Sequence, residues 1–482
     1  MGGVESIDGG PRSVIVVGAG VAGLSTAWFL QERGVDVTVV DRAGVAAGAS
    51  WGNAGWIAPA LTFPLQPAGV LRDEWQAVRE PAMPPQLPST LGAHLGAIFM
   101  QLSAPHRRAS SQRALRAGVA LNEDCIEAFD VLIANGVDAP VTDAPITALF
   151  RSTKEAQRML ESLQQLENAG QPMYVTALSG AALREQVPLA SPEVTAGLNI
   201  NGQRFVDPRR FVEALGRSVM ARGAAMHRLE VDDVHGWNHG AVVHPRRGDP
   251  LTADAAVIAT GDRLSRLAGR WLRVPVQAQS GYSFTVPVDR PILAPIYLPD
   301  IRVACTPYKG ALRVSGALEL RRHHQPHPRE RVEAIAADAS SLLDGVDWAA
   351  RSNVWTGACA VPADGRPLIG ELVRGVYVAG GHGMWGLAHG PVTGRLLAEQ
   401  ITTGKQPQLS PNSTRGTGPC VTPPVNPGKQ ASRESSPAST FSGALQRCQK
   451  KGKRYDQHST RMDFTAGLRA ASAGIGDAAG VV

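Results

Sequence analysis

The segment Ser13 to Arg42, SVIVVGAGVAGLSTAWFLQERGVDVTVVDR, constrains this chain more than any other. A β-branched run, Val14 to Val17, enters Gly18-Ala19-Gly20-Val21-Ala22-Gly23. A helical stretch follows, then a second β-branched run, Val35 to Val40, ending on Asp41. Strand, glycine turn, helix, strand and acid are the parts of a dinucleotide cradle. Gly18 permits the tight turn, Gly20 lets the backbone approach a pyrophosphate, and Gly23 lets the helix sit against the strand. The helix N-terminus offers free N–H groups to the phosphates, and Asp41 stands where a carboxylate accepts from ribose hydroxyls. Val14 to Leu30 is apolar enough to suggest a membrane span. Three glycines at motif spacing favour strand plus buried helix instead. The preceding MGGVESIDGGPR has no basic n-region and does not read as a signal peptide.

A chain of 482 residues has the length of two to three domains. Five scattered cysteines, Cys125, Cys305, Cys359, Cys420 and Cys448, include no CxxC and predict a reducing compartment. Lys405 to Val482 carries 11 Lys and Arg against 4 Asp and Glu, a net +7 beside +6 for the whole chain. The remainder is therefore close to neutral, at −1, and nothing in it suggests a nucleic-acid-tracking surface.

Helical spacing runs over 112–136 and 153–170, with Thr153 the expected N-cap and Gly170 the stop. Asp207-Pro208 opens another helix through Met220. Strand-like segments follow at 251–261, 280–288, 301–310 and 311–320, an amphipathic helix at 330–343, and a strand, glycine loop and helix from Pro391 in 351–404. Nucleotide-type α/β pieces thus lie at both ends, around a strand-rich region, so two interleaved domains are predicted. Residues 13–90, 201–270 and 351–404 are assigned to a cofactor domain. Residues 91–200 and 271–350 are assigned to a substrate domain, and 405–482 reads as a disordered tail.

Three further motifs carry chemistry. GVAAGASWGNAGWIAP (44–59) supplies small residues and an Asn past the acid, which suit a bulky flavin cofactor; an ordinary surface loop is the alternative. AAVIATGDRLSRL (255–267) is a buried strand returning to the cofactor. GVYVAGGHGMWGLAHGPVTG (375–394) sets glycines 380, 381, 383 and 386 before a helix whose N-terminus can stabilise negative charge on a flavin ring. Histidines in RRHHQPHP (321–328) read as a solvated loop rather than a metal site, and no metal is expected. Trp385 suits either core packing or closure of a substrate pocket.

These segments, with SGYSFTVP, LRVSGALEL and WTGACAVPADGRPLIG, resemble the FAD-dependent oxidoreductases of the D-amino-acid oxidase superfamily, most of all the bacterial D-amino-acid dehydrogenases. The resemblance covers about residues 13–404. It implies an α/β fold: a Rossmann-like FAD-binding domain interleaved with an α+β substrate domain on a mostly antiparallel sheet. It implies FAD contacts at Gly18, Gly20, Gly23, Asp41, Arg42, Ser50, Asn53, Ala54, Gly55, Val231 and Gly261, and a flavin-ring loop at Gly381, His382, Gly383 and Gly386. Tyr282, Tyr308 and His382 are the catalytic candidates. The implied reaction is hydride transfer from the substrate α-carbon to flavin N5, giving an imine and then a keto acid and ammonia. The expected partners are a small amino acid or amine and a quinone or other electron acceptor. The expected location is cytoplasmic, with at most peripheral contact with the inner face of the plasma membrane.

One position departs from the family pattern. Family members that bind amino-acid carboxylates read Trp-x-Gly-Leu-Arg-Pro where this chain has Trp355-Thr356-Gly357-Ala358-Cys359-Ala360. Cys359 stands at the carboxylate-binding Arg, and Pro307 also stands where an Arg is common. A thiol cannot replace a planar, bidentate guanidinium, and a buried carboxylate without its partner costs on the order of 3–5 kcal/mol. Arg302, Arg313, His382, Tyr282 and Tyr308 are the candidate substitutes. A flavin-linked cysteine, as in sarcosine-oxidase relatives, is offset from Cys359, which reads as a buried, inert thiol. A glycine/sarcosine-type oxidase using O₂, a catalytically silent flavin-binding subunit and a nicotinamide-binding enzyme remain as alternatives.

Overall fold

The computed structural model describes residues 10–62, 105–237, 240–320 and 329–405, all within the Met1–Pro423 unit. The histidine-rich 321–328 segment and the predicted tail beyond Lys405 lie outside them.

Four consecutive buried residues, Val14 to Val17, make Ser13–Val17 a central strand. The alternation of a strand sends Val14 and Val16 into one core and Ile15 and Val17 into another. The six-stranded sheet runs in the order Leu368–Val373, Val376–Gly380, Ala255–Ile258, Ser13–Val17, Asp36–Asp41, Ala225–Arg228. All neighbours are parallel except the Leu368–Val373 and Val376–Gly380 hairpin at one edge. Helices Val21–Glu32, Pro105–Ala134, Pro208–Ala221 and Gly386–Thr403 contribute to one core. The other core draws on strands Val231–Trp237 and Gly240–Pro245 and helix Leu264–Ala268. Burial on both faces explains why these strands are nearly continuous in β-branched and small residues.

The eight-stranded sheet runs Ser352–Pro362, Val276–Val286, Ala311–Leu320, Val303–Tyr308, Ile296–Leu298, Ile146–Phe150, Ala196–Ile200, Val175–Leu178. Its pairs are antiparallel except Ile296–Leu298 with Ile146–Phe150. One face packs Tyr282, Phe284, Val286, Leu312 and Val314 beneath helix Arg329–Ser340. The opposite face carries Ser283, Thr285, Thr306 and Arg313, the polar half of the same alternation.

Two predicted helix starts are corrected. The last helix begins at Gly386, not near Pro391, which lies inside it. Its glycines serve packing: a Cβ on Gly390 would lie 2.8 Å from Val21 Cγ2, and one on Gly394 would lie 2.5 Å from the Ser25 carbonyl carbon. Gly386, Gly390 and Gly394, four apart, share one side of the helix, and Gly390 and Gly394 let it lie directly on Val21–Glu32. The second correction moves the N-cap of Thr153–Asn168 from Thr153 to Ser152. Ser152 Oγ accepts from the Glu155 amide, and Glu155 accepts from the Ser152 amide. Ser152→Ala should lower stability by about 1 kcal/mol, read from urea unfolding, while Thr153→Ala should change little. Equal effects at the two positions would return the cap to Thr153. The predicted 112–136 helix occupies Pro105–Ala134.

Candidate functional site

Helix Val21–Glu32 starts without a side-chain cap from its N-cap residue Gly20, which lines an open cleft. Gly18, Gly20, Asp41, Arg42, Ser50, Val231 and Gly261 all line this cleft. Gly23 lies one turn into the helix, where a Cβ would stand 2.0 Å from the Gly18 carbonyl oxygen. Ser50 Oγ accepts from the Val21 amide at 3.1 Å, fixing its loop over the helix start.

Asp41 does more than the expected ribose contact. Its carboxylate accepts from the amides of Ala19 at 2.9 Å, Ala43 at 2.7 Å and Gly44 at 2.9 Å, so it pins the glycine turn to the following loop. Oδ1 takes the Ala43 and Gly44 amides and Oδ2 only that of Ala19, so Oδ2 keeps a second lone pair for a ligand hydroxyl. On the far wall, hydrogen bonds from Arg246 and Arg263 hold the Glu230 carboxyl below its ordinary value. Thr260 Oγ1 and Arg263 Nε, both on lining residues, are buried without a partner. Unpartnered donors beside a helix N-terminus fit a cofactor carrying a polar, anionic pyrophosphate arm.

The second half of the site joins the two ends of the chain. Asn53 Oδ1 accepts from the Gly55 amide at 2.9 Å, and Asn53 Nδ2 donates to the Met384 carbonyl at 3.3 Å. The Ala54 carbonyl accepts from Thr306 Oγ1 at 2.8 Å, attaching the loop to the eight-stranded sheet. Gly381, Gly383 and Gly386 follow strand Val376–Gly380 and lead into a helix that also lacks a side-chain cap. His382 Nε2 lies 2.8 Å from Thr393 Oγ1, and burial lowers its pKa to about 4, so the ring is neutral at pH 7. Trp385 is partly buried against the apolar cluster that includes Trp56, Ala58 and Ile146.

The structure separates the catalytic candidates. Tyr282 lies on the helix-packed face of the sheet, opposite the face that bears Arg313, Ser283 and Thr306. It shares the alternation of Phe284 and Val286. Tyr308 is on the polar face, its ring 5.7 Å from the Arg313 guanidinium carbon. The Cys359 thiol is pushed up to about 12 by burial, with the charge of Asp262 adding to the effect. It is un-ionised at neutral pH. Around Arg313 stand Trp51, Ser283 and Thr306, with the Trp355 ring 6.2 Å from that of Trp51. The alternation of polar and apolar residues in 280–288 and 301–315 was the signal that could have found Ser283 and Thr306.

This chain belongs to the DAO family of FAD dependent oxidoreductases, whose family model matches residues 13–400. FAD is its cofactor, and its α/β fold is that of the family. It is 28% identical over 415 residues to a D-amino acid dehydrogenase of Cereibacter sphaeroides, covering 82% of this chain and 93% of that protein. Its fold is similar to glycine oxidase from Bacillus cereus, with TM-score 0.61, 22% identity and 82% and 96% of the two chains covered. L-alpha-glycerophosphate oxidase from Mycoplasma pneumoniae with FAD bound gives 0.62 at 17% identity, covering 82% and 95%. No described helix is long and apolar enough to cross a membrane.

Proposed function

We propose that this protein oxidises an amino acid at the carbon bearing its nitrogen, with D-amino acids the first candidates. The imine product then hydrolyses to a keto acid and ammonia. The Asn53–Met384 hydrogen bond carries the reading, because it makes one cofactor site from both ends of the chain. The similarity to a D-amino acid dehydrogenase over nearly that protein's whole length supplies the substrate class. In this reading the six-stranded sheet forms the FAD-binding half and the eight-stranded sheet the substrate half.

Bound FAD supplies the acceptor for the hydride leaving the substrate carbon. Gly18, Gly20 and Ser50 would hold its pyrophosphate, with Gly23 keeping the helix close behind them, Asp41 and Val231 would hold its adenosine end, and Gly261 would contact it from the returning strand. Arg42, Asn53, Ala54 and Gly55 shape the loop between pyrophosphate and ring. Gly381, Gly383 and Gly386 admit the ring, and the uncapped N-terminus of Gly386–Thr403 stabilises negative charge there. Neutral His382, fixed by Thr393, orients the ring loop without taking a proton. Tyr308 faces the substrate. A quinone or O₂ receives the electrons afterwards.

Anaerobic mixing with D-amino acids, N-methylglycine and carboxylate-free amines tests this. Bleaching of the flavin by at least one amine is expected, and reoxidation by O₂ or by a quinone then identifies the acceptor. Bleaching by dithionite but by no amine would overturn the reading. It would favour a silent flavin-binding subunit, the alternative that the thiol at position 359 supports.

A further inference from the structure

The geometry points to Arg313 as the group that holds the substrate's carboxylate in place of the Arg missing at position 359. This deepens the proposed function and rests on it.

Arg313 is 3% exposed. Its Nε donates to the Asn53 carbonyl at 3.2 Å, and its Nη2 donates to Ser283 Oγ at 2.9 Å. Its guanidinium carbon lies 5.6 Å from the centroid of the Trp51 ring and 5.7 Å from that of Tyr308. Among the described residues no carboxylate pairs with it. Burial lowers its pKa, while Tyr308 and Asp207 offset part of that effect from longer range.

A desolvated cation needs a counter-charge, and two neutral acceptors with two aromatic faces supply only part of one. The bonded edge of the guanidinium is committed to Asn53 and Ser283. Nη1 and the second N–H of Nη2 form the remaining fork, whose spacing matches a carboxylate's two oxygens. Asn53 and Trp51 belong to the loop that meets the flavin-ring loop, so the fork lies beside the place where the substrate carbon must sit. The bound molecule is therefore an α-amino or α-imino acid rather than a simple amine. Neither a thiol at 359 nor a residue of the Ser352–Pro362 strand is needed to anchor it.

The test compares wild-type holoprotein with Arg313→Gln and Arg313→Lys. The substrates are an amino acid, its carboxamide and its decarboxylated amine, and acetate binding is followed through the flavin spectrum. Expected for Arg313→Gln is a rise of at least about 30-fold in KM for the amino acid, with kcat less affected. The carboxamide and amine should change less than about 3-fold, FAD content should hold, and the acetate signal should vanish. Arg313→Lys should recover part of the affinity, because it restores charge without the fork. Equal losses for all three substrates, or loss of FAD, would assign Arg313 to supporting the flavin loop and overturn the proposal. So would an unchanged KM. If Arg313→Gln does not fold, a selective KM rise of about 10-fold in Arg313→Lys supports the anchor and its absence refutes it. If no amine reduces the wild-type flavin, the functional reading fails. Acetate then decides alone: binding to wild type that Arg313→Gln abolishes and Arg313→Lys weakens supports the anchor, and any other pattern refutes it.

Discussion

Gly18→Ala is expected to yield protein without FAD, with stability reduced on the order of 4 kcal/mol. Gly18 sits at φ +120, and a Cβ there would lie 2.2 Å from the carbonyl oxygen of Ala259 and 2.7 Å from its carbon. Both atoms are backbone, so relief requires the fingerprint turn and the Ala255–Ile258 strand to part. That opens the cleft at its floor. Gly34→Ala is the control: it also has positive φ, +75, but nothing within 4 Å, and should lose only about 1 kcal/mol. Flavin content and thermal melts of the purified variants measure the difference. A yellow Gly18→Ala protein melting like wild type would show that the turn and the strand need not touch.

Acidification should destabilise the fold well before its carboxylates titrate, and His389 is the main cause. The ring is 3% exposed, its Nε2 lies 2.8 Å from Asn122 Oδ1, and its pKa is lowered to about 3 by burial and by His382. Asn122 Nδ2 donates to the Pro59 carbonyl, so Oδ1 faces His389, and the inferred tautomer carries its proton on Nε2. Thr62 donates to the same Oδ1. The folded pKa lies below the unfolded value near 6.5, so protonation favours the unfolded chain. The stability contributed by the neutral ring is complete above about pH 6.5 and falls toward pH 3 by up to about 1.4 kcal/mol per pH unit. His382 acts in the same direction. His389→Gln keeps a partner for Asn122 and removes the titration, so its urea midpoint should fall less steeply between pH 7 and 4. Parallel curves for the two proteins would refute this.

The cofactor half of the site was legible because its instructions are local. Gly18, Gly20, Gly23 and Asp41 lie within 24 residues, and each does its work through backbone geometry that the residue type itself reveals. The alternation in 280–320 likewise announced a half-buried sheet. The misreadings were tertiary. Gly386 and Gly390 read as part of the loop before Pro391, because a glycine excused by helix packing, as Gly390 is against Val21, looks the same in sequence as one required by a turn. Tyr282 was drawn to the site by its chemistry, yet its face is set by neighbours across the sheet. Arg313 is one of five possible anchors in the sequence, and the proposal singles it out by the Asn53, Trp51 and Tyr308 around it. No short-range signal links residues 53 and 313, which are 260 positions apart.

The pairing of Val21–Glu32 with Gly386–Thr403 has a consequence for how this enzyme tolerates change. On the proposed cofactor placement one helix opens at the pyrophosphate arm and the other at the ring, and at Gly394 they meet backbone to backbone. The separation of the cofactor's two ends is thus calibrated by covalent geometry, not by the bulk of any interposed side chain. Substitutions can accumulate elsewhere in the interior without resetting that gauge, and a redesign aimed at a new substrate can rework the eight-stranded sheet while leaving the flavin in register.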